Sequence, residues 1–412
     1  MWIYFLLLRI AALFGHRKAK LLVKGQANAL AALKENPLPK GGQVIWFHAA
    51  SVGEFEQARP IIERIKKEHP AYPILLTFFS PSGYELRKNY DKVDRVLYLP
   101  FATRRKARAF IAEVEPKMAI FVKYEFWPAY LKELSKRQIA CYSISAIFRE
   151  KQLFFRAWGK PYLKLLKCFS HIFVQDTESE QLLQKHGIEQ VTIAGDTRFD
   201  RVMEVLAAAK QIETVERFVQ AQDELTQLTA GDTVPRVIVA GSTWPKDEEL
   251  LVEYINRHPG TKLVLVPHEI HETHLHQIFC MLRGRVVRYT EANSTNIHHT
   301  QTLLIDTIGL LSSIYRYGQV AYIGGGFGVG IHNTIEAAVY GMPVLFGPNY
   351  QHFREAKGLI AAGAATSVKN YDELEAALDK AFAEQESMGA NARMYVESEL
   401  GATGRIYEAI IK

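Results

Sequence analysis

Residues 43–69 read QVIWFHAASVGEFEQARPIIERIKKEH. Val44 to Phe47 form a short apolar run of the kind a buried strand shows. Small residues then turn the chain, and beyond Ser51 the apolar positions recur at helical spacing. A strand that hands over directly to an amphipathic helix is the repeating unit of a parallel α/β sheet. The junction also presents an acid, Glu54, at the mouth of the helix. With Ser51 at the N-cap, Glu54 falls at the third helical position and fits a capping box. The other role open to this carboxylate is that of a catalytic base. The small residues Ala49, Ala50 and Gly53 leave room beside it.

The alternation continues downstream. YPILLTFFS (72–80), RVLYLPF (95–101), KMAIFVKYEFWP (117–128), IACYSIS (139–145) and HIFVQD (171–176) read as strands, with helical segments such as TRRKARAFIAEV (103–114) between them. From about residue 202 to 235 the chain is rich in Ala, Gln, Glu and Thr and shows no strand pattern. A second series then begins: RVIVAGS (236–242), KLVLVP (262–267), RVVRY (285–289), TLLID (302–306), QVAYIGG (319–325) and PVLFGP (343–348). From about Tyr371 the remainder reads as helix. The 412 residues therefore divide into two open α/β domains, with a ligand cleft expected between them at the carboxyl ends of the strands. The expected boundaries are an N-terminal helix over 1–25, a Rossmann-like domain over 26–205, a linker over 206–234, a second Rossmann-like domain over 235–385 and a helical segment over 386–412.

Composition excludes several classes. The chain is 48% hydrophobic and 23% charged, as globular proteins with sizeable cores are. A net charge of +6 suits an anionic substrate or an anionic membrane surface but is not the signature of a nucleic-acid binder. The three cysteines, Cys141, Cys168 and Cys280, are far apart and odd in number, which argues against a disulfide framework or a zinc site.

The N-terminus departs from the rest. MWIYFLLLRIAALF is apolar apart from Arg9 and is followed by Arg17, Lys18, Lys20 and Lys24. The run is shorter than the about 20 residues a spanning helix needs, and its positive charges follow the apolar stretch instead of preceding it as in a signal peptide. The pattern predicts an uncleaved helix in the membrane interface, with Trp2, Tyr4, Phe5 and Phe14 at head-group level and the basic residues against anionic lipid.

Several strand ends carry chemistry. YIGGGFGVGIHNTIEAAVYGMPVLFGP (322–348) ends a strand in Gly324, Gly325 and Gly326 and starts a helix near Asn333, with Glu336 one turn in. Glycines let backbone N–H groups approach a ligand, and a helix start favours anions. The run is neither a dinucleotide fingerprint nor a Walker sequence, and tight helix–strand packing calls for glycine too. Ser242 and Thr243 follow another strand ahead of Asp247, Glu248 and Glu249 at a helix start, where the hydroxyls can cap the helix or hold a phosphate. Pro267 and His268 end the next strand. His271, His274 and His276 invite a metal reading, but their spacing does not put all three on one helical face, and no metal site is expected. In the first series Lys123 and Glu125 follow a strand at i, i+2 and can share a face. Arg198 and Asp200 lie near the domain junction, where Arg198 can grip a phosphate or carboxylate or form an ordinary ion pair.

HAASVGE, TFFSPSGYE, KYEFWP, AGDTRFD, AGSTWPKDEE, LVPHEIHE, LIDTIGLL and GGGFGVGIHNTIE occur in the order found in 3-deoxy-D-manno-octulosonic acid (Kdo) transferases, which the chain resembles over nearly its whole length. The resemblance implies a GT-B glycosyltransferase that moves Kdo from CMP-Kdo to a lipid A precursor (lipid IVA), with inversion, at the cytoplasmic face of the inner membrane, in lipopolysaccharide core biosynthesis. It assigns acceptor binding to the first domain and CMP-sugar binding to the second. It implies that Glu54 is the general base. Pro267 and His268 align with a Pro-Arg pair that binds the nucleotide, and Ile308, Gly309 and Leu310 align with a Met-Gly-Glu stretch, so an Arg and a Glu are replaced here. Asn333, Thr334, Ile335 and Glu336 keep the Asn-x-x-Glu that helps hold CMP. Arg198 stands for a common Lys, and Lys123 for a common Glu thought to assist the transition state, while Glu125 is retained. Ser242 and Thr243 join the CMP-site candidates. No cofactor is expected, because CMP-Kdo carries its own leaving group. Two alternatives stand beside this reading: a GT-B transferase using a UDP-sugar, and a catalytically silent, membrane-associated nucleotide-binding module.

Overall fold

Parallel strands buried on both faces need apolar residues at every position, not at alternate ones. All six residues of β1 (Val44–Ala49) are buried accordingly in the computed structural model, which describes residues 2–41, 43–156, 159–221, 236–328 and 330–411. β1 is followed by β2 (Ile74–Phe78), β3 (Arg95–Tyr98), β4 (Pro116–Val122), β5 (Ala140–Ala146), β6 (His171–Val174) and β7 (Val191–Ile193). Together they form a seven-stranded parallel sheet in the order β3-β2-β1-β4-β5-β6-β7. Val44 and Trp46 face one core with Phe110, Phe121 and Tyr130, while Ile45 and Phe47 face another with Phe55, Ile61 and Ile62. Strand order reverses at β1/β4, so a crevice opens beyond their carboxyl ends.

The second series gives β8 (Arg236–Thr243), β9 (Thr261–Pro267), β10 (Val286–Arg288), β11 (Thr302–Leu304), β12 (Val320–Ile323), β13 (Val344–Phe346) and β14 (Ala365–Ser367). These too form a parallel seven-stranded sheet, in the order β10-β11-β9-β8-β12-β13-β14, with its switch point at β8/β12.

The chain separates into two compact units, residues 1–201 with 399–412, and residues 202–398. This division differs from the expected boundaries in three places. The N-terminal helix over 1–25 is two helices, α1 (Trp2–Leu13) and α2 (Arg17–Glu35). Gly15 turns the chain at φ +86°, and His16 caps α2, its Nδ1 accepting from the N–H of Ala19 at 3.2 Å. α2 buries Ala19, Leu22, Gln26, Ala29 and Leu33. The side chains of residues 1–6 and Arg9, including Trp2, Tyr4 and Phe5, lie outside the described residues. Among those described, no helix is long and apolar enough to cross a membrane.

The second difference lies in the expected linker. It holds a helix at Glu213–Gln220 with Val215 and Phe218 buried. The buried Lys262 ammonium donates to the carbonyls of Phe218 and Ala221, which ties this helix to β9. Residues 222–234 of that linker lie outside the described residues. Third, the C-terminal segment is shared. The helix Gln385–Ser398 stays with the second unit, and the helix Ala402–Ile410 belongs to the first. The Asp200 carboxylate accepts from the N–H groups of Gly401 (2.7 Å) and Thr403 (2.6 Å) at the start of that last helix, and the Arg405 guanidinium donates to the Ala194 carbonyl. Asp200 is thus a helix cap, which a sequence reading near a domain junction did not reveal.

Candidate active site

In the first unit the acids and bases gather where β1 and β4 end. α3 (Val52–Glu68) starts beyond β1 because Ser51 is extended and its hydroxyl accepts from the Glu54 N–H at 3.5 Å. The Glu54 carboxylate in turn accepts from the Ala50 N–H. The reciprocal bond thus falls one residue before the cap, not on the cap residue itself. β4 ends at Val122, and Lys123 takes a left-handed conformation, φ +62°. That conformation is costly for a residue with a Cβ, and such residues gather at functional sites. Lys123 and Glu125 therefore sit in a turn, and strand alternation does not set their directions.

The structure brings Glu54, Lys123 and Glu125 together electrostatically. Burial, and next the Glu125 charge, push the Glu54 carboxyl up from 4.5 to about 7, against the opposing pull of the Ala50 and Ser51 amides and of Lys123. A carboxyl in that range is matched to proton exchange near neutrality. Glu125 Oε2 lies 2.9 Å from His48 Nε2 and 2.6 Å from the Trp127 indole nitrogen.

Arg198 is held differently. Its Nε and Nη2 donate to Asp196 Oδ2 at 2.9 and 2.7 Å, and Gln57 of α3 donates to Asp196 Oδ1 at 3.1 Å. Burial disfavours the Asp196 anion, but the Arg198 charge and these hydrogen bonds outweigh it and hold the carboxyl below its ordinary value. The ion pair is therefore a buried one, anchored to the helix that carries Glu54.

In the second unit, Ser242, the penultimate residue of β8, takes φ +54°. The Thr243 hydroxyl donates to Glu248 Oε1 at 3.0 Å, so it serves the following helix, Pro245–Arg257. The Asp247 carboxylate, fully buried, accepts from the N–H groups of Trp244 (2.9 Å) and Gly325 (2.8 Å) and from the Tyr322 hydroxyl (2.9 Å). It thereby pins the Gly-rich turn after β12 to the end of β8. Gly324 is required there: a Cβ on it would lie 2.2 Å from the Ser242 carbonyl oxygen.

Pro267 closes β9 opposite Thr243. His268 stacks on Trp244 with ring centroids 4.7 Å apart and lies 4.6 Å from His332. Burial, and then His268, push His332 down to about 4. Neutral His332 accepts from the Trp244 indole at 3.2 Å. Asn333 donates to Glu336 Oε1 at 2.9 Å and accepts from the Ile335 N–H at 3.3 Å. The Asn333–Glu336 turn opens a helix of only four residues, Ile335–Ala338. Thr334 is buried, and its hydroxyl has no hydrogen-bond partner in the structure. The side chain of Ile335 is buried in the core. Ile308 is 86% exposed, Gly309 turns at φ +88°, and Leu310 precedes a short helix whose Leu311 and Tyr315 lie over Gly241 of β8.

The three histidines of the run have different roles. His271 caps the helix Glu272–Met281, His274 bonds Glu248 at 3.1 Å, and His276 lies 3.5 Å from Cys280 Sγ. Sequence reasoning passed over His48, Trp127, Asp196, Trp244 and His332. All lie within or beside the quoted motifs, but each has a partner from a distant part of the chain.

Two parallel seven-stranded units with candidate sites at their carboxyl ends define a GT-B glycosyltransferase fold. The UDP-GlcNAc 2-epimerase from Neisseria meningitidis, solved with UDP-GlcNAc, has this fold and matches with a TM-score of 0.60 at 16% identity, covering 89% of this chain and 99% of its own. Residues 23–201 match the sequence profile of the 3-deoxy-D-manno-octulosonic-acid transferase (kdotransferase) family. The 3-deoxy-D-manno-octulosonic acid transferase of Rickettsia felis is 27% identical over 80% of this chain and 70% of its own length. That of Bordetella pertussis is 26% identical over 89% of this chain and 86% of its own. Residues 23–201 thus carry a Kdo transferase domain, and most of the chain is similar to Kdo transferases of several bacteria.

Proposed function

We propose that the chain transfers Kdo from CMP-Kdo to a lipid A precursor, with Glu54 as the base. Its placement supports the reading: a half-buried carboxyl in the first turn of α3, pushed up to about 7 by burial, is matched to taking a proton from an alcohol. An acceptor hydroxyl attacks the anomeric carbon of Kdo and loses its proton to Glu54. As the new C–O bond forms, the bond to the phosphate oxygen breaks, and CMP departs with the electron pair. Inversion follows from this single displacement. CMP is assigned to Ser242, Thr243, Pro267, His268, the 308–310 loop and the Asn333–Glu336 turn. The Asn333–Glu336 turn is the proposed source of donors for the leaving phosphate.

Acceptor delivery is assigned to the membrane surface. Leu7, Ile10, Leu13 and Phe14 are exposed, and Arg17, Lys18, Lys20 and Lys24 of α2 are exposed next to them. An apolar face flanked by cations suits an interface rich in anionic lipid. Cytoplasmic-face attachment to the inner membrane is part of this proposal. The test is transfer of labelled Kdo from CMP-Kdo to a lipid A precursor by the full chain and by Glu54→Ala. Transfer by the wild type and its loss in the variant are expected; equal transfer by both removes Glu54 as base. Calorimetry with CMP and UDP separates this donor from a UDP-sugar.

A further inference from the structure

The pair formed by His48 and Glu125 admits a proton count. His48 is fully buried on β1, in register with Thr77 of β2 and Phe121 of β4. Its Nδ1 lies 3.1 Å from the Thr77 carbonyl oxygen and 2.9 Å from the Thr77 hydroxyl. A carbonyl only accepts. The hydroxyl accepts from the Trp46 indole at 2.8 Å and directs its own proton to the Phe47 carbonyl at 3.2 Å. Nδ1 must therefore carry a hydrogen. A neutral ring then turns a lone pair at Nε2 toward Glu125 Oε2, 2.9 Å away. An ionised Glu125 also offers only lone pairs there. The Trp127 N–H is nearer to Oε2 (2.6 Å) than to Nε2 (3.0 Å), so it satisfies the carboxylate and leaves the Nε2–Oε2 contact in need of its own proton.

We propose that His48 and Glu125 hold one shared proton between Nε2 and Oε2, forming a net-neutral unit beside Glu54, and that His48 is a positioning residue for the transfer. The inference rests on the reading of Glu54 as the base. Whether imidazolium–carboxylate or imidazole–carboxylic acid, the pair presents Glu54 with a dipole and not with a second full negative charge. The other groups acting on Glu54 are the Lys123 ammonium and the Ala50 and Ser51 amides, and all three favour its ionised form; the Tyr124 hydroxyl also lies within electrostatic reach. His48 meets Thr77, Phe121 and Trp127 on its other sides, none of them charged. Its effect on the reaction therefore passes through Glu125.

The test uses the full chain with two readouts. The first is kcat/KM against pH. A base must be ionised, so the acid limb follows Glu54. In His48→Gln the uncompensated Glu125 charge moves this limb up by about one pH unit, a loss of about tenfold near pH 7 that recovers at higher pH. In Glu125→Gln the unit stays neutral, and the limb stays close to its wild-type position. An unmoved limb in His48→Gln, or a downward shift of about one pH unit in Glu125→Gln, overturns the proposal. The second readout is the proton NMR spectrum of chain labelled with ¹⁵N-histidine. A strongly downfield ring proton is expected in wild type and in Trp127→Phe, and is expected to be absent from Glu125→Gln. Its absence from wild type overturns the shared proton even if His48→Gln fails to fold. A wild type without Kdo transfer that still shows this proton refutes the functional reading and leaves the pair standing.

Discussion

Replacing Glu54 by Gln tests the electrostatics of the site apart from its chemistry. Gln has nearly the same shape and keeps an oxygen that can accept from the Ala50 N–H, so helix capping survives. What it removes is the ionisation. A carboxyl whose folded-state value is about 7 against an ordinary 4.5 binds its proton more tightly in the folded chain than in the unfolded one. Stability therefore falls as pH rises through that window and is flat outside it. At about 1.4 kcal/mol per pH unit the wild type loses about 3 kcal/mol between about pH 4 and about pH 8.5, and the variant is spared that loss. Urea titrations of both chains, followed by tryptophan fluorescence at several pH values, measure the difference, because contributions from other groups cancel. The variant is expected to gain on the wild type steadily up to about neutrality, while its transfer rate drops by about 10²–10⁴-fold. Parallel stability curves would show that Glu54 titrates as an ordinary surface carboxyl, and the argument for its basicity would fail.

Three further outcomes are expected. Asp247→Ala leaves the N–H groups of Trp244 and Gly325 without their acceptor and costs the second unit about 3 kcal/mol, with CMP affinity down at least about tenfold by calorimetry; Asp247→Asn, which keeps an acceptor oxygen, retains most of both. Gly324→Ala forces a Cβ against the Ser242 carbonyl and the Thr243 backbone and destabilises the second unit by about 1–3 kcal/mol in urea, also weakening CMP binding. Deleting residues 1–15 abolishes cosedimentation with anionic vesicles; undiminished cosedimentation would refute the interfacial role of α1.

The strand–turn–helix units were legible because a parallel sheet buries both faces and so leaves unbroken apolar runs such as VIWF and VIVA, while the helices keep a 3.6 period. Strand order was not legible: nothing local in LIDTIG says that β11 lies between β10 and β9. Neither was the return of the C-terminal helix to the first unit, which depends on a carboxylate, Asp200, two hundred residues upstream of its cap. Glu54 was legible because it stands at a helix start within its own motif. His48 was not, since a histidine within an apolar strand reads as core until β4 brings Glu125 and Trp127 against it. The same applies to Trp244 and His332, whose contact depends on β8 lying next to β12.

These long-range contacts also give a physical meaning to one departure from the family pattern. A Glu at position 123, the residue that the resemblance to Kdo transferases implies there, would set a third carboxyl beside Glu54 and Glu125. In this chain Lys123 occupies the left-handed turn after β4, and its charge is among the influences that pull Glu54 down while burial and Glu125 push it up. The Lys therefore partly compensates a pocket that is otherwise unfavourable to an anion. Lys123→Glu exchanges an attraction for a repulsion with no change in backbone preference, because neither residue favours a positive φ. The acid limb of kcat/KM should move up by about one pH unit or more, a loss of about tenfold near pH 7 that largely recovers at alkaline pH, with Lys123→Gln intermediate. A loss independent of pH would instead mean that Lys123 contacts a substrate, and an unmoved limb would mean that its charge does not reach Glu54. The ordering Lys, Gln, Glu ties the residue at position 123 to the basicity of Glu54 by charge alone, since a steric role would not rank the three by sign.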